Sequence, residues 1–177
     1  MTPEAELKAL MLAKPKLTLA VAESLTSGHV QARIGAVSGA SNYFLGGVTA
    51  YTLAEKVKLL GVNRAHARRV NCVSQRVVVE MAQGATQLFG ADLAVATTGY
   101  AEPSAADGVA VPMAWWAIAH RMRGRRNARE EKFAVVSGMI EMPDASRVTA
   151  QERVAAEVLA ELLRYLREVR GREGEGK

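Results

Sequence analysis

G-A-S-N-Y-F-L-G-G-V-T-A-Y-T-L-A-E-K, from Gly39 to Lys56, joins a loop, a strand and the opening of a helix. Leu45 to Tyr51 is short and apolar, with the composition of a buried strand. Thr52 and Glu55 have the spacing of a capping box, in which a hydroxyl and a carboxylate satisfy each other's backbone amides. A helix is therefore predicted from Leu53 to Leu60, with Gly61 as its stop. Lys56 falls in the first turn of that helix, near a partial positive charge that disfavours its ammonium form. Ser41 precedes the strand and Tyr51 closes it, so the stretch carries two hydroxyls and an amine around one strand-to-helix unit. A strand, a turn and an exposed helical lysine would leave the same pattern, and the surrounding chain has to decide between chemistry and scaffold.

Outward from this unit the alternation repeats. Thr2-Pro3 caps a first helix whose Leu7, Leu10 and Met11 form an apolar stripe before Pro15. Leu17 to Ala22 is a buried strand that delivers Glu23 and Ser24 to a turn. A helix follows over Thr26 to Val37, its free N-terminal amides open to an anion beside Ser24. Asn63 to Val70 makes a weak helical turn; after Ser74, the positions Val77, Val78, Met81, Ala82, Ala85 and Leu88 keep a 3.6-residue rhythm until Gly90. Asp92 to Thr97 is a third strand, ending in a loop rich in Gly, Pro, Ala and Ser from Thr98 to Gly108. Val109 to His120 should be a long strand, with Pro112 marking an edge or a bulge, paired through a basic turn with Phe133 to Glu141. Thr149 and Glu152 form a last capping box ahead of a helix with Val158, Leu159, Leu162, Leu166 and Val169 facing inward. Residues 171–177, G-R-E-G-E-G-K, read as a disordered tail. Helices alternating with strands, and two adjacent strands near the end, imply an α/β sandwich with antiparallel pairing.

The chain of 177 residues suits one domain, expected over residues 1–170. Hydrophobic residues make up 49% and charged residues 23%, which is globular rather than disordered. No apolar run approaches the roughly 18 residues that span a bilayer, and M-T-P-E-A-E-L-K is no secretory signal, so a soluble cytoplasmic protein without a membrane partner is expected. Cys72 is the one cysteine, and His29, His66 and His120 stand far apart, so neither an intrachain disulfide nor a metal site is expected. The net charge of +5 owes much to R-M-R-G-R-R, Arg121 to Arg126, which a solvated hairpin turn explains. No helix-turn-helix or RNA-recognition pattern accompanies it, which weighs against nucleic acid as a partner.

Four motifs add chemistry to this frame. A-E-S-L-T-S-G (Ala22 to Gly28), Y-x4-K-V-K-L-L-G-V (Tyr51 to Val62), V-S-Q (Val73 to Gln75) and T-G-Y-A-E-P (Thr98 to Pro103) follow one another in order. Together they resemble the C-terminal domain of the CinA family, the nicotinamide-nucleotide amidases, over about residues 5 to 168. The resemblance implies a three-layer α/β sandwich around a mixed, mostly parallel sheet of about five strands, with one antiparallel pairing. It also implies deamidation of nicotinamide mononucleotide to nicotinate mononucleotide and ammonia, with no cofactor. The expected partners are a small-molecule nucleotide substrate and further copies of the chain, a dimer being one such homo-oligomer.

Amide hydrolysis without a metal needs a nucleophile, a base and donors for the oxyanion. Serine and lysine supply the first two once the lysine is neutral, which requires lowering an ordinary pKa near ~10.4 by burial or a neighbouring charge. Ser24 and Ser41 compete as nucleophile, and the residues alone do not rank them. The resemblance places both at the site, and the preferred assignment is Ser41 as nucleophile, Lys56 as base and Ser24 as a group that binds or polarises substrate. Tyr51, Thr98 and Gly99 are assigned to substrate binding, the last two resembling the family's positioning loop. Arg147 and Arg153 are expected to meet a phosphate together with helix-terminal amides. Because strand ends meet along one edge of an α/β sheet, Ser24, Ser41, Lys56 and Thr98 should line one cavity.

The chain also departs from the family pattern. Leu25 and Ser27 stand where that pattern has Cys and Gly, Glu102 replaces the second glycine of the later motif, and the loop up to Pro112 lacks a glycine-rich run. Arg147 aligns only across a one-residue insertion. Side chains in place of glycine reshape a pocket, and Glu102 adds negative charge where a phosphorylated substrate would sit. Two alternatives follow: a catalytically degenerate nucleotide- or phosphate-binding domain of the same fold, and a nucleic-acid-associated basic protein.

Overall fold

A computed structural model describes residues 2–122 and 132–175. Its elements are α1 (Pro3–Leu12), β1 (Leu19–Glu23), α2 (His29–Gly35), β2 (Phe44–Thr49), α3 (Leu53–Leu60), α4 (Arg64–Arg69), α5 (Gln75–Phe89), β3 (Leu93–Tyr100), β4 (Met113–Met122), β5 (Lys132–Glu141) and α6 (Arg147–Glu175). Polar side chains start four of the helices: Thr2, Thr52, Asn63 and Ser74 each accept a hydrogen bond from the amide three residues on. Gly61 and Gly90, both left-handed, end α3 and α5.

The sheet order is β2-β1-β3-β4-β5. β1 pairs in parallel with β2 and β3, and β4 alone is reversed, lying antiparallel to both β3 and β5. The single reversed strand thus makes two antiparallel pairings, the one expected with β5 and a second with β3. Alternation along the strands divides the core into two layers. Leu19, Val21, Leu93, Val95, Trp116 and Ile118 pack with Leu7, Val30, Ile34 and Leu159 of α1, α2 and α6. Ala20, Ala22, Ala94, Ala96, Ala117 and Ala119 present a shallow surface to Val77, Val78 and Met81 of α5. α3 in turn lies against α5, and a Cβ at Gly84 would come 2.1 Å from the Leu60 carbonyl oxygen, so only glycine allows that approach. Close packing here holds α3, and with it Lys56, down towards the sheet.

Several boundaries differ from the sequence pattern for identifiable reasons. β4 begins after Pro112, whose carbonyl accepts from Met142 N at 2.8 Å, and β4 is an interior strand, not an edge. Ser146, not Thr149, caps α6, because its Oγ accepts from Thr149 N at 3.3 Å, so Arg147 becomes the first helical residue. α6 runs on through Gly171 to Glu175, where composition predicts disorder; Gly176 and Lys177 lie outside the described residues. Arg121 belongs to β4 and donates to the Thr86 carbonyl at 2.8 Å, while Arg123 to Arg126 and the predicted basic turn lie outside the described residues. Among the described residues no helix is long and apolar enough to cross a membrane.

Candidate active site

From β1 the chain crosses one face of the sheet through α2 to reach β2, and it returns across the other face through α3, α4 and α5 to β3. The two crossovers leave from the carboxyl ends of the adjacent parallel strands β1 and β2 over opposite faces, the place where an open α/β sheet leaves a crevice for ligand. Glu23 ends β1 there, fully buried, and its carboxylate accepts from Gly28 N (2.9 Å), Val30 N (3.2 Å) and Gln31 N (2.9 Å). The sequence pattern leaves these amides at the start of α2 free for a ligand; the structure spends them on Glu23. Their hydrogen bonds meet the carboxylate's charge and hold the turn from Ser24 to Gly28 in one shape. Ser27 in that turn has φ 51°, a left-handed conformation that costs a residue with a Cβ about 1 kcal/mol and explains why a glycine suits the position.

Lys56 enters the same crevice from the inner side of α3. It is 1% exposed, and its Nζ lies 2.8 Å from Ser24 Oγ, 2.8 Å from the Ala50 carbonyl and 3.0 Å from the Tyr51 carbonyl. Ser24 is 7% exposed. Burial brings the Lys56 pKa down to about 8, opposed in part by the nearby Cys72. Burial also pushes the Cys72 thiol up. A neutral amine has two N–H bonds and one lone pair. As an ammonium Lys56 donates to all three oxygens; once it has lost a proton, its two N–H bonds serve the two carbonyls and its lone pair is left for the Ser24 proton.

Ser41 is not part of this arrangement. It sits exposed in a 3-10 turn, Ala40–Asn42, that leads into β2, whereas Lys56 follows the exit of β2. The six residues of β2 separate the two by about 20 Å at roughly 3.3 Å per residue. The expected Ser41–Lys56 pair is therefore replaced by Ser24–Lys56. The reason is topological: β1 and β2 are parallel, so the segments following both strands share one edge of the sheet, and the segment preceding β2 is at the other.

Leu25, which follows Ser24, and Tyr51, whose carbonyl receives Lys56, line a cavity of about 240 Å³ with Gly99, Tyr100, Glu102 and Arg147. Arg147 spans its mouth, Nη1 2.6 Å from Glu102 Oε1 and Nη2 donating to Tyr51 Oη at 2.8 Å. Gly99 has no room for a side chain, since a Cβ would stand 2.2 Å from the Met113 carbonyl oxygen of β4. Thr98 is 1% exposed, and its hydroxyl donates to the Cys72 carbonyl at 2.8 Å. That bond holds the left-handed pair Asn71 and Cys72 beside the site, and Thr98, expected to bind substrate, is buried beneath the cavity surface. Arg153 does not join Arg147: six residues along a helix leave the two about 120° apart around its axis, and Arg153 is exposed on α6. Beyond Tyr100 a second cavity of about 510 Å³ is lined by Arg69, Asn71, Asp107 and Glu141. Among the described residues no group of three His, Cys, Asp or Glu side chains is placed to hold a metal ion.

Glu23 does carry a signal in the sequence, because an acid closing a strand just before a helix start is a capping signal. The buried hydroxyl pair Thr26–Thr97, 2.7 Å apart, ties β3 to the Ser24 turn and leaves no trace in residue spacing. Gln151 of α6 likewise donates to the Leu25 carbonyl at 2.8 Å.

Residues 2–166 match the family described as the CinA C-terminal domain. A CinA-like protein from Chlorobium limicola is 37% identical over 161 residues, which are 91% of this chain and 36% of that protein. A CinA-like protein from Picosynechococcus is 50% identical over 90 residues, 51% of this chain and 22% of that protein. The chain thus spans about a third or less of these relatives' length. The crystal structure of the competence or damage-inducible protein from Enterobacter asburiae superposes with a TM-score of 0.79 at 25% identity, covering 93% of this chain and 96% of that one. A CinA superfamily protein from Escherichia coli superposes with a TM-score of 0.76 at 28% identity, covering 92% and 89%.

Proposed function

The chain belongs to the CinA C-terminal domain family, and from that premise we propose that it is a serine–lysine amidohydrolase acting on the carboxamide of nicotinamide mononucleotide or a close relative of it, yielding the acid and ammonia. The observation that carries this reading is the buried contact of 2.8 Å between Lys56 Nζ and Ser24 Oγ. In the first step, neutral Lys56 takes the Ser24 proton while Oγ attacks the carboxamide carbon. The oxyanion falls to backbone N–H groups of the Ser24 turn. Ser27 N and His29 N are committed to carbonyls of that turn, and among the described residues Leu25 N and Thr26 N have no acceptor. The Lys56 ammonium then protonates the departing nitrogen, which leaves as ammonia from an ester on Ser24. Water, deprotonated by Lys56, opens that ester and restores the serine.

Release of ammonia from nicotinamide mononucleotide tests the proposal directly. Wild type should turn over, and Ser24→Ala and Lys56→Met should each lower kcat by about 10²-fold or more, the scale of losing a base or nucleophile. A Ser24→Ala variant hydrolysing at the wild-type rate would sink it. A second reading, a nucleotide-binding domain without turnover, draws on Ser27 and Glu102, the first strained and the second occupying Arg147. Tight binding of the mononucleotide with no ammonia released would favour it.

A further inference from the structure

We propose that Glu102 is a specificity residue that withholds Arg147 from phosphate and reserves the cavity beside Ser24 for an amide whose far end is neutral and hydroxylated, a nucleoside in preference to a nucleotide. The word amide rests on the serine–lysine reading above; the exclusion of phosphate does not.

Arg147 is the one cationic side chain among the described residues lining this cavity. Both arms of its guanidinium are already engaged, one by the Glu102 carboxylate at 2.6 Å and the other by the Tyr51 hydroxyl at 2.8 Å. A phosphate dianion would have to take the guanidinium from Glu102, and the carboxylate would then face the dianion uncompensated across a cavity of about 240 Å³. Backing away is limited on both sides. Pro103 restrains the backbone of Glu102 to extended conformations, and Arg147 is anchored as the first residue of the Ser146-capped α6. Sugar hydroxyls make the opposite demand: they donate to a carboxylate and accept from a guanidinium or a phenol without separating the pair. Glu102 and Arg147 are both well exposed, so selectivity comes from the sign of the charge facing the ligand and not from the strength of the ion pair.

Two measurements decide the matter. Titration calorimetry with ribose 5-phosphate should give a Kd for Glu102→Gln at least about tenfold tighter than for wild type, and Glu102→Gln/Arg147→Met should lose that gain. In turnover, wild type should show a higher kcat/KM for nicotinamide riboside than for the mononucleotide, and Glu102→Gln should raise the mononucleotide-to-riboside ratio about tenfold. Circular dichroism confirms that each variant is folded. Equal ribose 5-phosphate affinity in wild type and Glu102→Gln overturns the proposal, as does a wild-type preference for the mononucleotide. If wild type releases ammonia from neither compound, the amidase reading falls, and the calorimetric comparison alone decides the role of Glu102.

Discussion

Between pH 6 and 10 the rate of Ser24 acylation should report the charge on Lys56. Burial lowers its pKa from 10.5 to about 8. At pH 7 an ordinary lysine is neutral in about one molecule in 3,000, and one with a pKa near 8 in about one in eleven, so burial raises the competent fraction roughly 300-fold. Below pH 8, kcat/KM for ammonia release should rise about tenfold per pH unit, and above about pH 9 it should be flat. Lys56→Met should lose the inflection together with at least 10² in rate. Carbon-13 NMR at lysine Cε gives the same titration without substrate, as a single lysine moving near pH 8. The stability linkage has a definite sign. Lys56 binds its proton less readily in the folded chain than in the unfolded one, so the unfolded state carries the extra proton between pH 8 and 10.5 and stability rises with pH across that window. The full span is about 3 kcal/mol, from 1.36 kcal/mol per pKa unit, with the penalty fully present below pH 8. Urea unfolding of wild type against Lys56→Met should show this rise in the wild type alone. A flat rate profile, or an inflection at the ordinary lysine pKa, would refute the assignment of Lys56 as base.

Ser24→Ala and Ser41→Ala should separate cleanly in the same ammonia assay, the first losing at least about 10² in kcat and the second keeping the wild-type rate, because Ser41 lies beyond the far end of β2. Thr98→Val removes the donor to the Cys72 carbonyl and should lower stability by about 1–3 kcal/mol in urea titrations, the cost of a buried acceptor left unpaired. Turnover should survive EDTA; complete loss on chelation with recovery on added zinc would contradict a serine–lysine mechanism.

Elements with a signal at both ends were legible in the sequence. α3 falls where Thr52 and Gly61 predict it because the hydroxyl cap and the left-handed glycine are local features that tertiary packing had no reason to override. α6 is the contrary case: Thr149-x-x-Glu152 matches the capping-box pattern, yet Ser146 takes the Thr149 amide three residues earlier and moves Arg147 into the helix. The choice between the two serines was open to topology but not to composition. Both serines border strands, and only strand direction tells that Ser24 leaves β1 at the edge where Lys56 leaves β2. The family resemblance put Tyr51, Arg147 and Glu102 near one site, but the hydrogen bonds from Arg147 to the other two were not legible, since they join side chains from the segments after β2, after β3 and at the start of α6.

The crevice buries two ionisable groups and treats them oppositely, and each treatment serves the other. Glu23 is met by three backbone N–H groups at the start of α2, which offset the cost of burying a carboxylate and fix the turn that carries Ser24. Lys56 meets no carboxylate among the described residues, only two carbonyls and the Ser24 hydroxyl. Had Glu23 turned towards Lys56 instead, a buried ion pair would have favoured the ammonium and left Ser24 without a base. By capping α2, Glu23 is held away from that role, so the amine is left to desolvation and its pKa falls towards the range where a base works at neutral pH. On the proposed mechanism Glu23 would then be a positioning residue twice over: it holds the turn that carries Ser24, and its engagement with the helix amides leaves the neighbouring amine without a carboxylate partner.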